Sequence, residues 1–438
     1  MTRVRLHALV AAALAAVCTV PSVVRAQGAP ADTSWQQHSR LARSAFAAGD
    51  WAASRHHFER ADAIVGGGAN AMYNLAIVEA RAGHPAAALD HLEEFASTGL
   101  TRAAARDTMF TALRSDPRFT AVTAQLDSNA APRGAAVVAH QLKDAALLAE
   151  DLAWDAAGKR FFVSSIHERK IVAVDEKGET RDFTGADEPD FWGAFALRLD
   201  PKRHLLWATT AAIKTIERYD DADSGRAAVI AFDTRSGKRV RRADLASDGR
   251  AHVLGDMTVA GDGTVYVTDS VGGGVYRLRP GAAALDTVLA PGTFTSPQSP
   301  VLAPGGRRLV IPDYPRGLAA VEIASGKVTW LPKPRTFASG GIDGLYWTGR
   351  GLIAVQNGTS PRRVLWLDTD AQLTRVTGWR VLEQATDRLG EPSHGVIAGH
   401  DFFFLGDTGW DRVGDDEVMK TDAESTAPVI LRMTLPKK

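Results

Sequence analysis

The feature that most constrains this chain is a unit that recurs six times between residue 135 and the C-terminus. Each unit holds one residue that we call the pivot, then an apolar strand, a turn with Asp or Gly, and a second apolar strand ending on a polar residue. In the first unit the pivot Glu150 begins Glu150-Asp151-Leu152-Ala153-Trp154-Asp155, and Arg160-Phe161-Phe162-Val163-Ser164 follows the turn. Regularly spaced short strands rich in β-branched and aromatic residues are typical of a repeated β architecture.

Alignment of the units on their turns places the six pivots 43 to 60 residues apart. They are Glu150, Phe195, Gly255, Gln298, Asp343 and His394. Six units of this size predict an all-β six-bladed propeller over residues 135–438, with the pivots around its central axis. The longest interval contains an insertion from Ala211 to Arg226, and we expect Ala136–Ala139 to close the ring beside Val429–Met433.

Residues 35–128 have a different pattern, rich in Ala, Leu, Arg and Glu at helical spacing. Gly49-Asp50-Trp51-Ala52-Ala53 is matched 34 residues later by Gly83-His84-Pro85-Ala86-Ala87. This period and its small residues resemble the tetratricopeptide repeat, which predicts an all-α helical domain. Asp116-Pro117-Arg118-Phe119 is a degraded third unit or a cap, and residues 129–134 are the predicted linker.

Two roles remain open for the helical domain. Stacked repeats usually form a curved scaffold for a partner, so a protein partner is one interpretation. The other is a helical cap that packs on the rest of the chain.

Residues 1–26 have the features of a secretory signal peptide. Arg3 and Arg5 precede an apolar run from Leu9 to Val20, and Val24-Arg25-Ala26 provides a cleavage site. The one cysteine, Cys18, lies in this segment, so thiolate chemistry is excluded from the mature chain. We expect a periplasmic or secreted protein with no membrane span after signal cleavage.

The charge balance argues against a nucleic-acid partner. Lys+Arg and Asp+Glu are both 51, giving a formal net charge of zero. A protein that neutralises many phosphates usually carries a basic excess. The expected partner is a small-molecule substrate or ligand.

Three stretches carry a family resemblance: the segment from Glu150 to Asp155, the strand end Thr268-Asp269-Ser270, and Ile342-Asp343-Gly344-Leu345-Tyr346-Trp347. Over residues 148 to 434 the chain resembles the senescence marker protein, gluconolactonase and luciferin-regenerating enzyme superfamily. The resemblance implies a six-bladed propeller with a divalent cation, usually calcium, in its central tunnel. The ligands there are a Glu of the first blade, Asn residues of the third and fourth, and an Asp of the fifth.

Carried onto this sequence, the resemblance implies Glu150 and Asp343 as metal ligands. Gln298 replaces the fourth-blade Asn and keeps its ligand atom type, whereas Gly255 occupies the third-blade position and has no ligand atom. Asp256, next to it, is a metal ligand if the backbone turns it inward, although simple strand alternation would point it elsewhere. Hard cations bind such oxygen donors.

Asp343 and His394 are the candidate catalytic residues, because a carboxylate and an imidazole can transfer protons. Polar strand ends recur once per blade, and we expect them to hold turns together; they are Ser164, Asp269, Asp313, Asn357 and Asp407. Two functions stay open. The first is an exported metal-dependent hydrolase of a lactone or related ester, and the second is a non-catalytic propeller that binds a small molecule or protein.

Overall fold

The computed structural model describes residues 34–185, 187–414, 416–420 and 427–436. The predicted signal peptide, residues 1–26, lies outside the described residues. None of the described helices combines the length and the apolar character needed to cross a bilayer.

The N-terminal part of the described chain is helical. Its helices are α1 (Trp35–Ala47), α2 (Trp51–Val65), α3 (Ala69–Ala82), α4 (Pro85–Ser97) and α5 (Pro117–Asn129). Gly66 and Gly83 end α2 and α3 in the left-handed conformation that glycine adopts without strain. The hairpins α1–α2 and α3–α4 begin at Trp35 and Ala69, 34 residues apart, which matches the period in the sequence.

The predicted third repeat is a single helix. Asp116 caps α5 by accepting a hydrogen bond from the Arg118 N–H, and the residues before it form short 3₁₀ turns. Asn129, expected in the linker, is the last residue of α5. The side chain of Asn129 is buried and donates to the carbonyls of Ala96 and Leu100, so the junction is part of the helical core.

The remaining chain forms six antiparallel four-stranded sheets, the predicted six-bladed propeller. Blades one to three contain, from the inner strand outward, β2 (Ala149–Asp155), β3 (Arg160–Ser165), β4 (Lys170–Asp175), β5 (Thr180–Thr184); β6 (Gly193–Asp200), β7 (Leu205–Ala211), β8 (Ala227–Asp233), β9 (Arg239–Asp244); β10 (Leu254–Val259), β11 (Val265–Asp269), β12 (Val275–Leu278) and β13 (Asp286–Leu289).

Blades four to six contain β14 (Val301–Leu302), β15 (Arg308–Asp313), β16 (Gly317–Glu322), β17 (Lys327–Trp330); β18 (Ile342–Trp347), β19 (Leu352–Gln356), β20 (Arg363–Thr369), β21 (Val376–Gln384); β22 (Gly395–Ala398), β23 (Asp401–Gly406), β24 (Val429–Thr434) and β1 (Val137–Gln141). The last strand closes the ring: β1 pairs with β24, as the sequence predicted. β1 thereby becomes the outer strand of blade six, and hydrogen bonds within one sheet join the two ends of the β domain.

The faces between neighbouring blades are filled by buried aliphatic and aromatic side chains. One core cluster joins blades one and two through Phe162, Phe191 and Phe232, and another joins blades five and six through Phe402 and Phe404. Burial of these alternating strand residues is the main stabilising contribution to the ring.

The helical domain packs directly on the propeller. Ala338, from the loop before β18, belongs to the core cluster of the helical domain. Arg363 of β20 is fully buried and donates to the Gln356 side chain and, at 3.1 Å, to the Thr98 carbonyl. Gln384 of β21 donates to the carbonyls of Asn129 and Ala131. The domain therefore packs on blades four and five.

Candidate active site

The pivots are displayed by a recurrent irregularity of the inner strands. Strands β2, β6, β10 and β18 each contain a shift of register against their neighbour, and the unpaired residues include Glu150, Phe195, Gly255 and Asp343. A β-bulge re-aims side chains that regular alternation would point to one face. The bulges therefore turn the start of each of these strands toward the tunnel.

Three pivots converge at one end of the tunnel. One ligand atom from each of Glu150, Asp343 and His394 lies within 4.8 Å of the others, and we call this set the triad. Exposure is 13% for the Glu150 side chain, 9% for Asp343 and 1% for His394, so bulk water screens their charges weakly. Two carboxylates this close need a cation or a proton between them.

Each member of the triad is held by a further group. Trp410 Nε1 donates to Glu150 Oε2 at 2.7 Å, and Asn357 Nδ2 donates to Asp343 Oδ2 at 2.7 Å. His394 Nδ1 lies 3.1 Å from the Glu150 carbonyl and 3.9 Å from Glu150 Oε1. The side chains are thereby oriented without use of all their oxygen atoms.

Asp256 lies on the other side of the His394 ring. Its Oδ1 is 2.8 Å from His394 Nε2 and accepts a hydrogen bond from Ser299 Oγ at 2.7 Å. Nε2 is buried, and its N–H is not aligned for a good hydrogen bond, so the contact is an ion pair. The bulge turns Asp256 inward, as the sequence allowed, but places it behind His394. Carboxylates that orient a metal-binding histidine usually lie in this position.

The charges of the site are coupled. Burial, reinforced by the charge of Asp343, raises the pKa of Glu150 to about 8. Burial also raises the pKa of Asp343, together with the charge of Asp256. Burial alone would lower the pKa of His394, but the carboxylates of Asp256 and Asp343 outweigh it and raise that pKa well above its ordinary value.

The pKa of Asp256 changes in the opposite direction. Burial would raise it, but the charge of His394 outweighs burial and lowers it. At neutral pH the metal-free site therefore contains ionised Asp256, protonated His394 and largely protonated Glu150. Protons occupy the place that a divalent cation would take, so the donor set fits a cation that displaces them.

Gln298 lies apart from this arrangement. It precedes β14, and its amide nitrogen donates to the Ser296 hydroxyl at 2.9 Å and to the Ser296 carbonyl. Gly255 sits in the bulge of β10, where an added Cβ would meet the Ser270 hydroxyl at 3.1 Å. The third and fourth blades thus contribute Asp256 and Ser299 behind the histidine.

Two residues of the site were missed at the sequence level. Asn357, expected to hold a turn, contacts Asp343 directly. Asn357 is the one amide among the recurrent polar strand ends, but its recurrence once per blade concealed its role. Asp269 and Asp313, at equivalent positions, accept backbone N–H groups as expected. Trp410 comes from the loop after β23, and its contact with Glu150 was not predicted.

A second polar group lies on the inner strands of blades one, two and five. Buried Asp151 accepts hydrogen bonds from the Leu197 N–H and the Arg198 guanidinium, and Arg198 lies over the Tyr346 ring with its Cζ 6.0 Å from the centroid. Arg198 and Tyr346 also line a cavity of about 420 Å³, whose other lining residues are mostly apolar, such as Leu152 and Trp347. The polar chemistry is concentrated at the triad end.

Comparison with known proteins gives no family assignment. No family model matches the chain, and no curated protein matches it. Solved structures are similar in part. A gluconolactonase of Xanthomonas campestris is 18% identical, with a TM-score of 0.44 over 70% of this chain and 99% of that chain.

Two further structures show the same level of similarity. The calcium-binding protein regucalcin of Agrobacterium tumefaciens is 16% identical, with a TM-score of 0.45 over 67% of this chain and 93% of its own. A virginiamycin B lyase of Staphylococcus aureus is 13% identical, with a TM-score of 0.44 over 70% and 100%. With these three scores below 0.5, the similarities assign no activity to the chain.

Proposed function

We propose that this chain is an exported, divalent-metal-dependent hydrolase of a lactone or related ester. The observation that carries the proposal is the triad of Glu150, Asp343 and His394, whose ligand atoms lie within 4.8 Å of one another. Two carboxylates and an imidazole, screened from water and individually oriented, are a donor set suited to a cation with open positions for substrate and water.

The donor set also favours one kind of cation. Calcium binds oxygen ligands almost exclusively, whereas an imidazole nitrogen beside two carboxylates suits zinc or manganese. His394 would bind in its neutral form through Nδ1, which would exchange its contact with the Glu150 carbonyl for the metal, while Asp256 holds Nε2. We therefore propose zinc or manganese in place of the calcium that the family resemblance implies.

A bound cation would supply a Lewis acid for the lactone carbonyl and lower the pKa of a bound water. The protein residues do the remaining work. Asn357 fixes one oxygen of Asp343, and the other oxygen accepts the proton of the attacking water. Trp410 and Asp256 keep Glu150 and His394 in place. The ring C–O bond then breaks, and the alkoxide takes the proton back from Asp343, leaving a hydroxy acid.

One observation favours the alternative, a non-catalytic binding protein. The His394–Asp256 ion pair and the raised pKa of Glu150 balance the site without any cation. A propeller whose tunnel polar groups are self-satisfied could bind a small molecule and perform no chemistry. The hydrolase would convert substrate only when a metal is bound, whereas the binding protein would perform no reaction with or without a metal.

The test is lactone hydrolysis followed by pH-stat, on chelator-treated protein with zinc, manganese, magnesium or calcium restored. We expect turnover with zinc or manganese, and a loss of about 10²-fold or more in kcat for Asp343→Asn. Glu322→Gln, which removes a carboxylate from the outer part of blade four, is the charge control. Equal rates in all proteins, or no metal-dependent hydrolysis of any lactone, would favour the non-catalytic alternative.

A further inference from the structure

A large cavity lies between the helical domain and the propeller. Its volume is about 1290 Å³. Helices α1 to α3 form one wall, and the loops of blades four and five around Tyr314, Gly340 and Gly358 form the other. Ligand pockets are commonly about 300–1,000 Å³, so this cavity can hold a molecule larger than a simple sugar lactone.

The cavity reaches the triad through one side chain. Asn357 lines the cavity, accepts a hydrogen bond from the Tyr314 hydroxyl at 2.9 Å and donates to Asp343 at 2.7 Å. Because Tyr314 also lines the cavity, Tyr314 and Asn357 together form the part of the cavity wall that lies next to the triad. A molecule bound in the cavity would contact Asn357, which is hydrogen-bonded to Asp343.

The charged residues of the lining are mostly basic. Arg43, Arg102 and Arg106 come from the helical domain and Arg362 from blade five, against the single carboxylate of Asp107. That carboxylate accepts hydrogen bonds from the Tyr73 hydroxyl and the Met109 N–H. Among the described ion pairs, none includes Arg43 or Arg106, so their donors are available to a ligand.

Two of the arginines are held in place. Arg102 lies over the Tyr73 ring, 4.7 Å from its centroid, and donates to Asn70 Oδ1 at 2.6 Å. Arg362 pairs with Glu391 at 2.8 Å. The planar guanidinium suits bidentate binding of carboxylate and phosphate, and an orienting stack reduces the entropy lost on binding.

We infer that this interdomain cavity binds an organic anion, with its carboxylate or phosphate on Arg102 and Arg106 and its apolar part against Trp35 and Val65. On the proposed function, the anion is the substrate: a lactone with an additional carboxylate or phosphate group, larger than a bare sugar ring. The helical domain then contributes half of the substrate site.

The test uses binding to the chelator-treated full chain. The probes are 1-naphthyl phosphate, 1-naphthoate and the neutral 1-naphthalenemethanol, measured by fluorescence titration. We expect at least one anion to bind about tenfold or more tightly than the alcohol, with an affinity that falls as salt rises. Arg102→Gln/Arg106→Gln should weaken anion binding by about tenfold and leave the alcohol unaffected.

A matched double variant, Arg60→Gln/Arg114→Gln, removes two exposed arginines of the same domain that do not line the cavity. It should bind all three probes as the wild type does. Ala103→Trp, which fills part of the cavity, should weaken all three. Equal binding of anions and alcohol, or the same effect of both double variants, would overturn the inference.

These outcomes are distinguishable from failure of the proposed function. Lactone hydrolysis by the wild type and Asp343→Asn tests the triad alone. Arginine-dependent anion binding without any hydrolysis would leave the binding site in place and remove the reaction. Hydrolysis without arginine-dependent anion binding would leave the reaction in place and remove the anion-binding site.

Discussion

At the scale of single residues, the site is defined by how four buried groups share charge. His394 lies between Asp256 and the carboxylates of Glu150 and Asp343, so its proton is stabilised on both sides. A cation must displace protons from His394 and Glu150 before it binds. Metal affinity should therefore rise with pH, and binding should release protons.

Glu150 gives a prediction on stability. Its pKa is about 8 in the fold against 4.5 ordinarily, so in metal-free protein its stabilising effect is complete below pH 4.5 and is lost as pH rises to 8. Glu150→Gln can still accept from Trp410 and does not titrate. Relative to wild type, the variant should gain on the order of 3 kcal/mol between pH 5 and pH 8.5.

Urea unfolding of chelator-treated proteins at the two pH values measures this gain. Glu176→Gln, an exposed glutamate of the same blade, is the control and should follow the wild type. A difference between Glu150→Gln and wild type that stays constant with pH would show that Glu150 is ionised in the fold at pH 5.

Asp256 gives a prediction on the histidine. Since its carboxylate raises the pKa of His394, Asp256→Asn should lower that pKa toward or below the ordinary value of 6.5. The measurement is an NMR titration of the imidazole C–H signals in metal-free protein. Asp248→Asn is a matched control, because Asp248 contacts His252 Nε2 at 2.8 Å and should affect that histidine alone. An unchanged His394 titration in Asp256→Asn would contradict the orienting role.

At the scale of elements, the bulges of the inner strands determine which side chains face the site. The turn after α4 determines how the helical domain contacts the propeller. Bulges in β2, β10 and β18 turn Glu150, Asp256 and Asp343 toward the axis. The turn after α4 places Gly99 against Trp379 of β21 and Arg363 of β20. This turn is where the helical domain meets blade five.

Gly99 and Gly83 allow the docking to be measured. Both have positive φ, 72° and 81°, so alanine at either costs about 1 kcal/mol from the backbone alone. A Cβ at Gly83 meets nothing within 4 Å, whereas one at Gly99 meets Trp379 at 2.9 Å. Gly99→Ala should therefore lower the free energy of unfolding by about 1–3 kcal/mol more than Gly83→Ala. Equal losses in the free energy of unfolding, measured in urea, would show that this interface accommodates the added methyl group at no cost.

The sequence predicted the elements better than the site. Turn spacing and strand composition predicted the six blades and ring closure by β1. The 34-residue repeat predicted the paired helices. The position of Asp256 depends on a bulge, which composition does not encode. Trp410 reaches Glu150 across 260 residues, so only tertiary closure brings them together. Asn357 was concealed because equivalent strand ends in other blades are structural.

At the scale of the whole molecule, the two domains enclose one space with the triad beneath it. The helical domain is fixed to blades four and five by buried polar contacts such as Arg363 with Thr98. The cavity between the domains ends at Tyr314 and Asn357; Tyr314 donates to Asn357, and Asn357 donates to Asp343. The cap thus bears directly on the chemistry proposed for the tunnel.

The most direct test of the metal centre is the metal content of the full chain after dialysis against zinc or manganese and removal of free ion. The proposed metal centre predicts one ion per wild-type chain, near-complete loss in Glu150→Gln/Asp343→Asn, and retention in Glu176→Gln. At a free metal concentration of 100 times Kd, the ion should also stabilise the wild type alone by about 2.7 kcal/mol. A wild type that binds no ion, or a triad variant that binds as well as wild type, would contradict the assignment of Glu150, Asp343 and His394 as a metal centre.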